Sequence, residues 1–382
     1  MNKMIIGFVS KWEPFHDRVA WSGTVYKLRE SIEKAGFEVR WIIVGTSLKY
    51  LILTYSIKIW NYTIGRKSKW LNGFQFRPIA KILAEEIDLN PVVKGCDYLF
   101  FPTGAQIALF VKTKKPVISV SDQTAQLMID YYWLNINKKS KKMAIDLDKA
   151  ASQKAVVNIR SSQWTIDSVI YDYRCDKEKC YVLEFGPNID TADIKPCSVY
   201  PGEGNLRILF SGRDWNRKGG EIAVEVVERL RSDGIDAQLI VVGPCKCPKS
   251  CKDKSYIDFV GYLNKNNPKD YHQYIDLYEK SHIFILPTKA ECSAIVYSEA
   301  AAAGLPCYTY LTGGVGNYVV NGVNGYTLPE GSPASFFANQ IINDIHEGSL
   351  SSLREGALRL FKDRLNWEAW KDGFIKIMDK VS

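Results

Sequence analysis

The second half of the chain opens with the stretch LRILFSGRDWNRKGG, residues 206–220. Its first seven residues form a largely apolar run, as in a buried strand, and glycines and polar residues then indicate a turn. The next residues, 221–231, have the pattern of a helix. Strand, turn and helix in this order are the unit from which parallel sheets with crossover helices are built.

Apolar runs rich in Val, Ile and Phe recur on both sides of this stretch, with helical patterns between them. The first half carries six predicted strands, Met4–Ser10, Glu38–Gly45, Asp97–Pro102, Pro116–Ser121, Ala155–Arg160 and Tyr181–Phe185. The second half carries six more, Leu206–Gly212, Ala237–Gly243, Tyr256–Tyr262, Ile283–Pro287, Pro306–Tyr310 and Gly325–Leu328. Two such sets predict an α/β chain with two facing Rossmann-like, doubly wound parallel-sheet domains and a cleft between them.

The length and the distribution of proline and glycine predict the domain boundaries. A chain of 382 residues is too long for one ordinary hydrophobic core. Residues 191–205 are rich in proline and glycine, which sustain neither a helix nor a central strand, so we predict a linker there. The predicted domains are therefore 1–190 and 206–365, followed by a C-terminal helix, 366–382, that packs back toward the N-terminal domain.

The composition is that of a globular protein, with 46% hydrophobic and 24% charged residues. A formal charge of +8 favours anionic ligands such as nucleotides, phosphates or acidic lipid surfaces, and we expect no nucleic-acid partner. The apolar run in the first ten residues is too short for a signal peptide. We expect a cytoplasmic protein and leave open peripheral contact with the inner face of a membrane.

Cysteine and aspartate clusters raise the question of a metal site. Nine cysteines without a secretion signal are expected to be reduced thiols. Cys245, Cys247 and Cys251 form the one cluster, and because no fourth ligand lies at finger-like spacing, a surface loop is favoured over a metal site. Asp146 and Asp148 imitate a metal-binding pair, but in a lysine-flanked helical stretch a solvated helix face is favoured. No metal site is predicted.

The loop after the strand 206–212 is basic. Arg213 and Lys218 project from a loop that opens a helix, where a guanidinium and a flexible ammonium suit a diphosphate. A solvated basic turn is the alternative.

A second loop, after the fourth strand of this half, contains two glutamates eight residues apart, Glu291 and Glu299. A helix is predicted to begin near Ser293 or Ala294, where small residues leave backbone N–H groups free for an anion. Glu299 lies inside an alanine-rich helix and needs a hydrogen-bond donor, either ribose hydroxyls or a local Lys or Arg. A glycine-rich loop, 312–316, follows the next strand.

Together these elements resemble the donor domain of family-4 retaining glycosyltransferases, which have the GT-B architecture. The matching elements are Gly-Arg-(x4)-Lys-Gly at 212–219, Glu-(x7)-Glu at 291–299, Glu-Ala-x-Ala-x-Gly-x-Pro at 299–306, Gly-Gly at 313–314 and Asn-Gly-x-Asn-Gly at 321–325. In the first half, Ser-Ser-x-Trp at 161–164 and Phe-Gly-Pro-Asn at 185–188 resemble the family's late N-domain signature. The resemblance covers nearly the whole chain.

The resemblance implies a reaction. A sugar would move, with retention, from a nucleoside-diphosphate sugar to a hydroxyl of a glycan, a glycolipid or a small molecule. No metal and no cofactor are implied, and a UDP- or GDP-sugar is the expected donor substrate. The N-terminal domain would bind the acceptor, and the domain 206–365 would bind the donor.

The resemblance also implies residue roles. Arg213 and Lys218 would neutralise the donor diphosphate, while Glu291 would hold sugar hydroxyls and Glu299 ribose hydroxyls. Further donor contacts are assigned to Gly212, Gly243, Ser293, Ala294, Ile295 and Val296, with the backbone of the last two cradling phosphate oxygens. Many relatives have a glycine where Ala294 stands, preceded by an aromatic where Ser293 stands, so the sugar pocket is expected to be reshaped.

The N-terminal half carries weaker signals. Ser22, Gly23 and Thr24 stand at the start of the first helix, where the glycine would let a phosphate or a substrate hydroxyl approach the backbone. His16, in the same loop, is expected to bind acceptor or simply to be solvated. Asp122 stands where many family members have a histidine, and we expect it to contact the donor sugar or the acceptor hydroxyl; capping the following helix is the alternative.

The segment 47–70 combines five basic residues, no acidic residue and many aromatic and aliphatic ones. Such a stretch can dock on anionic lipid or on a lipid-linked acceptor. A core helix with solvated lysines is the alternative, and the sequence slightly favours it.

Two other functions stay open. A nucleotide-sugar epimerase of the same architecture would turn over the donor without an acceptor. A non-catalytic sugar-binding homologue would be expected to lose the charged site residues. All four are present in this sequence: Arg213, Lys218, Glu291 and Glu299. A dehydrogenase is disfavoured because no G-x-G-x-x-G follows the first strand of either half.

Overall fold

The computed structural model describes residues 3–293 and 295–381. The chain divides into two compact units, residues 1–183 with 370–382, and residues 184–369. Each unit is built on a six-stranded parallel sheet. All twelve predicted strands are confirmed, with ends that differ by a few residues.

The first unit has the strand order β2-β1-β3-β4-β5-β6, so the order reverses between β1 and β3. Its strands are β1 (Ile5–Ser10), β2 (Glu38–Ile43), β3 (Tyr98–Pro102), β4 (Val117–Ser121), β5 (Val157–Arg160) and β6 (Cys180–Val182). Its helices are α1 (Thr24–Lys34), α2 (Leu48–Tyr62), α3 (Arg77–Leu89), α4 (Ala125–Met128), α5 (Lys138–Lys154) and α6 (Gln163–Asp167).

The second unit has the order β12-β11-β10-β7-β8-β9, which reverses between β10 and β7. Its strands are β7 (Leu206–Ser211), β8 (Ala237–Val242), β9 (Ile257–Gly261), β10 (Ile283–Leu286), β11 (Cys307–Tyr310) and β12 (Gly325–Leu328). Its helices are α7 (Gly220–Ser232), α8 (Pro268–Glu279), α9 (Ile295–Ala302), α10 (Ala334–His346) and α11 (Leu350–Asp363).

The stretch 206–232 shows why these residues fold as they do. Five of the six residues of β7 are buried, as a central strand covered on both faces requires. In α7 the buried residues recur at helical spacing and form one apolar face toward the sheet: Ala223, Val224, Val226, Val227 and Leu230. The turn between them lies at the carboxyl end of β7 and is polar. Its residues Arg213, Asp214 and Asn216 are exposed.

The last helix, α12 (Trp367–Val381), contributes residues 370–382 to the first unit. The rings of Trp370 and Phe374 stack at 5.2 Å, and Phe37 meets Phe374 edge-on at 5.5 Å. The hydroxyl of Tyr98 donates a hydrogen bond of 2.9 Å to the carbonyl of Val381. These contacts bury the aromatic face of the helix.

Residues 191–205 were expected to be a linker, but they pack into the second unit. Cys197 and Tyr200 are buried in its core, and the amide of Cys197 donates to the carbonyl of Ala303 at 2.8 Å. The division between the units falls earlier, after residue 183. Proline and glycine exclude regular structure here, yet they leave the apolar side chains between them free to be buried.

Asp148 corrects a second expectation, because it is buried rather than solvated. Its carboxylate accepts hydrogen bonds from Gln106 (2.6 Å), the Tyr173 hydroxyl (2.8 Å) and the Ala125 amide (2.7 Å). Asp146 is exposed, since residues two apart on a helix do not share a face. Within the part of the chain described here, no helix is long and apolar enough to cross a bilayer.

Candidate functional site

β7 and β10 are neighbours at the centre of the second sheet, and the strand order reverses between them. The chain leaves β7 toward β8 and leaves β10 toward β11, on the other side. The loops after these two strands therefore diverge and open a crevice, which is where sheets of this type bind ligands. The basic loop follows β7 and the Glu291 loop follows β10, so Lys218 and Glu291 lie on the two sides of this crevice.

Lys218 and Glu291 form an ion pair between the two loops. The ammonium contacts Oε2 of Glu291, and each side chain is only 10% exposed. The guanidinium of Arg217 lies 3.4 Å from the same oxygen. It also donates a hydrogen bond of 2.7 Å to the carbonyl of Ala290. Burial raises the pKa of Glu291, but Lys218 and Arg217 outweigh it and hold that pKa below its ordinary value. The carboxylate is therefore ionised at neutral pH.

Positive charge exceeds negative charge around this pair. Arg213 is exposed, and its guanidinium lies 4.8 Å from the centre of the Tyr262 ring, which leaves its N–H groups open to a ligand. Arg217, which was not predicted from the sequence, adds a third cation, and the largely exposed Asp214 lies 3.7 Å from it. Three cations against two carboxylates suit a multiply charged anion.

Hydrogen bonds to main-chain carbonyls connect the loops after β7, β10 and β11 around the ion pair. The amide of Lys289 donates to the carbonyl of Arg217 at 2.9 Å, and the amide of Gly314 donates to the carbonyl of Glu291 at 3.2 Å. The hydroxyl of Thr312 donates to the carbonyl of Lys289 at 3.3 Å. The glycine-rich loop after β11 is thereby held against the Glu291 loop.

Two of the predicted donor glycines allow the loops to approach one another. Gly243 has a φ of +118°, and a Cβ there would lie 2.7 Å from the carbonyl carbon of Gly212. A Cβ at Gly212 would lie 2.9 Å from Cγ of Lys218. Both glycines therefore pack the loop that carries the cations, and their direct contact with the donor stays a prediction.

Glu299 is 1% exposed inside α9 and has partners within the protein. One oxygen accepts from the hydroxyls of Tyr274 (2.7 Å) and Tyr278 (3.1 Å), and Lys265 lies 3.2 Å from the other. A local lysine, the alternative considered from the sequence, is thus present. The two tyrosines were not anticipated, although their spacing of four on α8 puts them on one face. A ribose contact stays a prediction and requires ribose hydroxyls to share Glu299 with Lys265.

A substitution tests this ribose contact. We expect Glu299→Gln to weaken UDP binding by roughly 10- to 100-fold, because a hydrogen bond to a charged group contributes about 1.5–3 kcal/mol. The matched control is Glu228→Gln, since Glu228 also bonds a lysine and a tyrosine, Lys254 and Tyr256, but at the surface. Titration calorimetry measures both affinities. Equal UDP affinities in the two folded variants would remove Glu299 from the ribose site.

The start of α9 contains the remaining predicted donor residues. Ser293 is buried, and Ile295 and Val296 are half-buried in the first turn. Ala294 lies outside the described residues. The predicted contact of this turn with phosphate oxygens stays a prediction.

The N-terminal residues have mixed outcomes. Gly23, with a φ of +99°, immediately precedes α1, and Ser22 has a φ of +59°. The approach of a phosphate or a substrate hydroxyl to this backbone stays a prediction. Thr24 is fully buried, which removes its hydroxyl from the surface. The side chain of His16 is 91% exposed and lies 3.5 Å from Glu13, as a solvated loop histidine would.

Asp122 follows β4 directly and is half-buried. The alternative that it caps the next helix is wrong. α4 begins at Ala125, and Oγ1 of Thr124 accepts the hydrogen bond from the Leu127 amide at 3.3 Å. Because α4 begins three residues after Asp122, Thr124 is the residue that caps it. Contact between Asp122 and a sugar stays a prediction.

A cavity of about 180 Å³ lies in the first unit at the carboxyl ends of β1, β2 and β3. β1 and β3 are the pair between which this sheet reverses its order. The polar residues that line the cavity include Lys11, Tyr50, Asn72 and Gln75, and the ammonium of Lys11 lies 4.7 Å from the Trp12 ring. These residues were not predicted from the sequence, although Lys11 and Trp12 directly follow the first predicted strand.

Metal-ligating residues do not cluster in the described structure. Across 3–293 and 295–381, no group of three or more His, Cys, Asp or Glu side chains could hold a metal ion. The nine cysteines are free thiols, with Cys245 exposed, Cys247 half-buried and Cys251 buried.

Comparison with known proteins connects this geometry to a chemistry. Residues 205–345 match the family model of the glycosyl transferases group 1. The matched range contains the basic loop and both glutamates. Over 141 residues the chain is 26% identical to the D-inositol 3-phosphate glycosyltransferase of Arthrobacter sp. (strain FB24), covering 36% of this chain and 33% of that protein. The chain spans between a third and about half the length of the curated relatives it matches.

Solved structures match over nearly the whole chain. Sucrose-phosphate synthase from Thermosynechococcus elongatus has a TM-score of 0.71 at 15% identity, with 99% of each chain covered. Anabaena Alr3699/HepE in complex with UDP-glucose has a TM-score of 0.65 at 15% identity, again with 99% of each chain covered. The fold is therefore the GT-B fold of two Rossmann-like domains, and the family-model match lies within the second unit.

Proposed function

We propose that this protein is a retaining glycosyltransferase that moves a sugar from a nucleoside-diphosphate sugar to a hydroxyl of a glycan, a glycolipid or a small molecule. The observation that carries the proposal is the pairing of Arg217 and Lys218 with Glu291, with Arg213 in the same loop as the two cations. It lies where the second sheet reverses its strand order, within the matched family domain.

The proposed chemistry depends on the charge of the departing diphosphate. As the bond to the sugar breaks, negative charge accumulates on the β-phosphate, where the buried Lys218 and the exposed Arg213 stabilise it. We propose that these cations act without a metal ion. The acceptor hydroxyl attacks the same face of the sugar that the phosphate leaves, and the departing phosphate accepts the hydroxyl proton.

Glu291 has two tasks in this proposal. Its carboxylate pairs with Lys218 and compensates the charge of the buried ammonium. A carboxylate accepts several hydrogen bonds, so sugar hydroxyls can donate to Glu291 while donor phosphate oxygens accept from Lys218. The sugar is then oriented beside the diphosphate group that leaves.

We propose a UDP-sugar as the donor. The support is the HepE structure, a whole-chain structural match in complex with UDP-glucose. The base and the sugar are the parts of the donor that the cation cluster does not distinguish, because it contacts only the diphosphate.

A thermal-shift panel of UDP, GDP, ADP and their sugars tests this proposal. A nucleotide present at a hundred times its Kd stabilises the folded state by about 2.7 kcal/mol, which raises the unfolding temperature of a domain this size by roughly 5–10 °C. We expect UDP and a UDP-sugar to give this shift, and UDP release to require an acceptor. If no nucleotide shifts the transition at millimolar concentration, the donor site is refuted.

A further inference from the structure

The helix α2 is attached to the first unit by one face. Ile57 is its one buried residue, and Tyr50 and Leu53 pack half-buried against the core. At its end, Asn61 donates to the carbonyl of Trp70 at 2.7 Å and accepts from the Trp70 amide at 2.9 Å. The helix is therefore a folded part of the unit and its orientation on the unit is determined.

The opposite face of α2 and the turn after it are apolar and exposed. Half of the sixteen large hydrophobic side chains that are exposed in the described structure lie in this one segment. They are Leu48, Leu51, Ile52, Tyr55, Ile59, Trp60, Tyr62 and Ile64, each at least 40% exposed. Most of them recur at helical spacing and form one stripe. Monomeric proteins rarely expose a contiguous apolar surface of this kind without a partner.

The charged residues of this segment itself are all basic, although Lys49 lies 3.7 Å from Glu85 of α3. Residues 47–76 contain five basic residues, Lys49, Lys58, Arg66, Lys67 and Lys69, and no acidic one. The ammonium of Lys58 lies 6.0 Å from the Tyr55 ring, and the guanidinium of Arg66 lies 5.2 Å from the Tyr62 ring. Lys58 and Arg66 thus lie beside the apolar stripe.

We propose that the exposed face of α2, with the turn to Lys69, docks on an anionic lipid bilayer. Its aliphatic residues enter the boundary between head groups and acyl chains, and its Tyr and Trp rings lie at the head-group level. Each basic residue near the anionic surface strengthens the docking by electrostatic attraction. A second copy of this chain fits less well, because the same five cations would face each other across the interface.

This docking also concerns the acceptor. Tyr50, in the first turn of α2, lines the 180 Å³ cavity at the carboxyl ends of β1, β2 and β3. A docked α2 would hold that cavity close to the head groups. With the acceptor bound in this cavity, its hydroxyl would belong to a membrane lipid. This second step rests on the proposed glycosyl transfer, whereas the docking itself does not.

Sedimentation with vesicles tests the docking. We expect the protein to bind phosphatidylcholine vesicles that contain phosphatidylglycerol, to bind phosphatidylcholine alone weakly, and to dissociate in high salt. The triple variant Ile52→Gln, Tyr55→Gln, Ile59→Gln should reduce vesicle binding at least tenfold, because it removes three apolar side chains that the bilayer would bury. The matched control is Leu89→Gln, Leu134→Gln, Tyr171→Gln, which removes two aliphatic and one aromatic exposed residue elsewhere on the unit.

Three results would overturn the proposal. The first is wild-type protein that stays in the supernatant with anionic vesicles. The second is a loss of binding that is equal in the two triple variants. The third is a dimer in sedimentation equilibrium that only the α2 variant dissociates, which would assign the face to a second copy. The UDP thermal shift, measured on the same variants, should be unchanged. A wild type that binds vesicles but no nucleotide would refute the proposed function and leave the docking intact.

Discussion

Replacement of Lys218 with alanine should lower kcat for sugar transfer by about 10²–10³-fold, because one donor that stabilises charge on a leaving group contributes this much. The matched control is Lys289→Ala, an exposed lysine of the loop that holds Glu291. It removes the same charge without a contact to the ion pair and should retain wild-type turnover. The measurement is the rate of UDP release in the presence of acceptor.

A second variant separates catalysis from stability. Lys218→Ala leaves Glu291 buried with the Arg217 guanidinium 3.4 Å away, and breaking a buried pair costs about 3–5 kcal/mol. The double variant Lys218→Met, Glu291→Gln removes both charges and should recover much of the lost unfolding temperature while its turnover stays low. Wild-type turnover in Lys218→Ala would exclude Lys218 from the diphosphate site.

Gly219→Ala should unfold or severely destabilise the second unit. Gly219 precedes α7 with a φ of +76°, and a Cβ there would lie 2.0 Å from the carbonyl oxygen of Pro287, at the end of β10. Positive φ costs about 1–2 kcal/mol in a residue with a side chain, and the clash with backbone adds about 1–3 kcal/mol. We expect a total of about 2–5 kcal/mol, and loss of UDP binding because Lys218 is the adjacent residue.

Gly234→Ala is the control for this substitution. Gly234 follows α7 in the same unit with a φ of +87°, but a Cβ there would have no contact within 4 Å beyond its chain neighbours. It therefore measures the cost of the backbone conformation alone, and its unfolding temperature should fall much less. Thermal unfolding followed by circular dichroism distinguishes the two. Equal shifts would show that the loop after β7 is not packed against β10 as described.

The strands and the loops of the second unit could be predicted because their signals are local. A buried strand such as 206–211 needs apolar residues at nearly every position, and the loop after it must be polar. Parallel strands then carry the loops at their carboxyl ends to one edge, so Lys218 and Glu291 could be expected to lie near each other. That they pair directly, with Arg217 beside them, depends on the positions of two diverging loops.

Other features depend on which face of an element meets the core. α2 is apolar on nearly all sides, so its periodicity does not say which residues are buried, and the slightly favoured core helix is wrong for its outer face. For Asp148 the sequence favours a solvated helix face, but the residue is buried and its carboxylate accepts three hydrogen bonds. Its partners lie 23 to 42 residues away in the chain, beyond any local pattern.

By itself the sequence determined the two six-stranded α/β units and the loops after β7 and β10 that carry the charged residues. It did so because burial on both faces of a strand and exposure of a loop impose their own residue types. Only the tertiary structure decided that Lys218, Arg217 and Glu291 share one site, that Glu299 is held by Lys265 and two tyrosines, and that α2 keeps an apolar face in solvent. Each of these features depends on contacts between residues that are far apart in the chain. Such contacts produce no periodic pattern in the sequence.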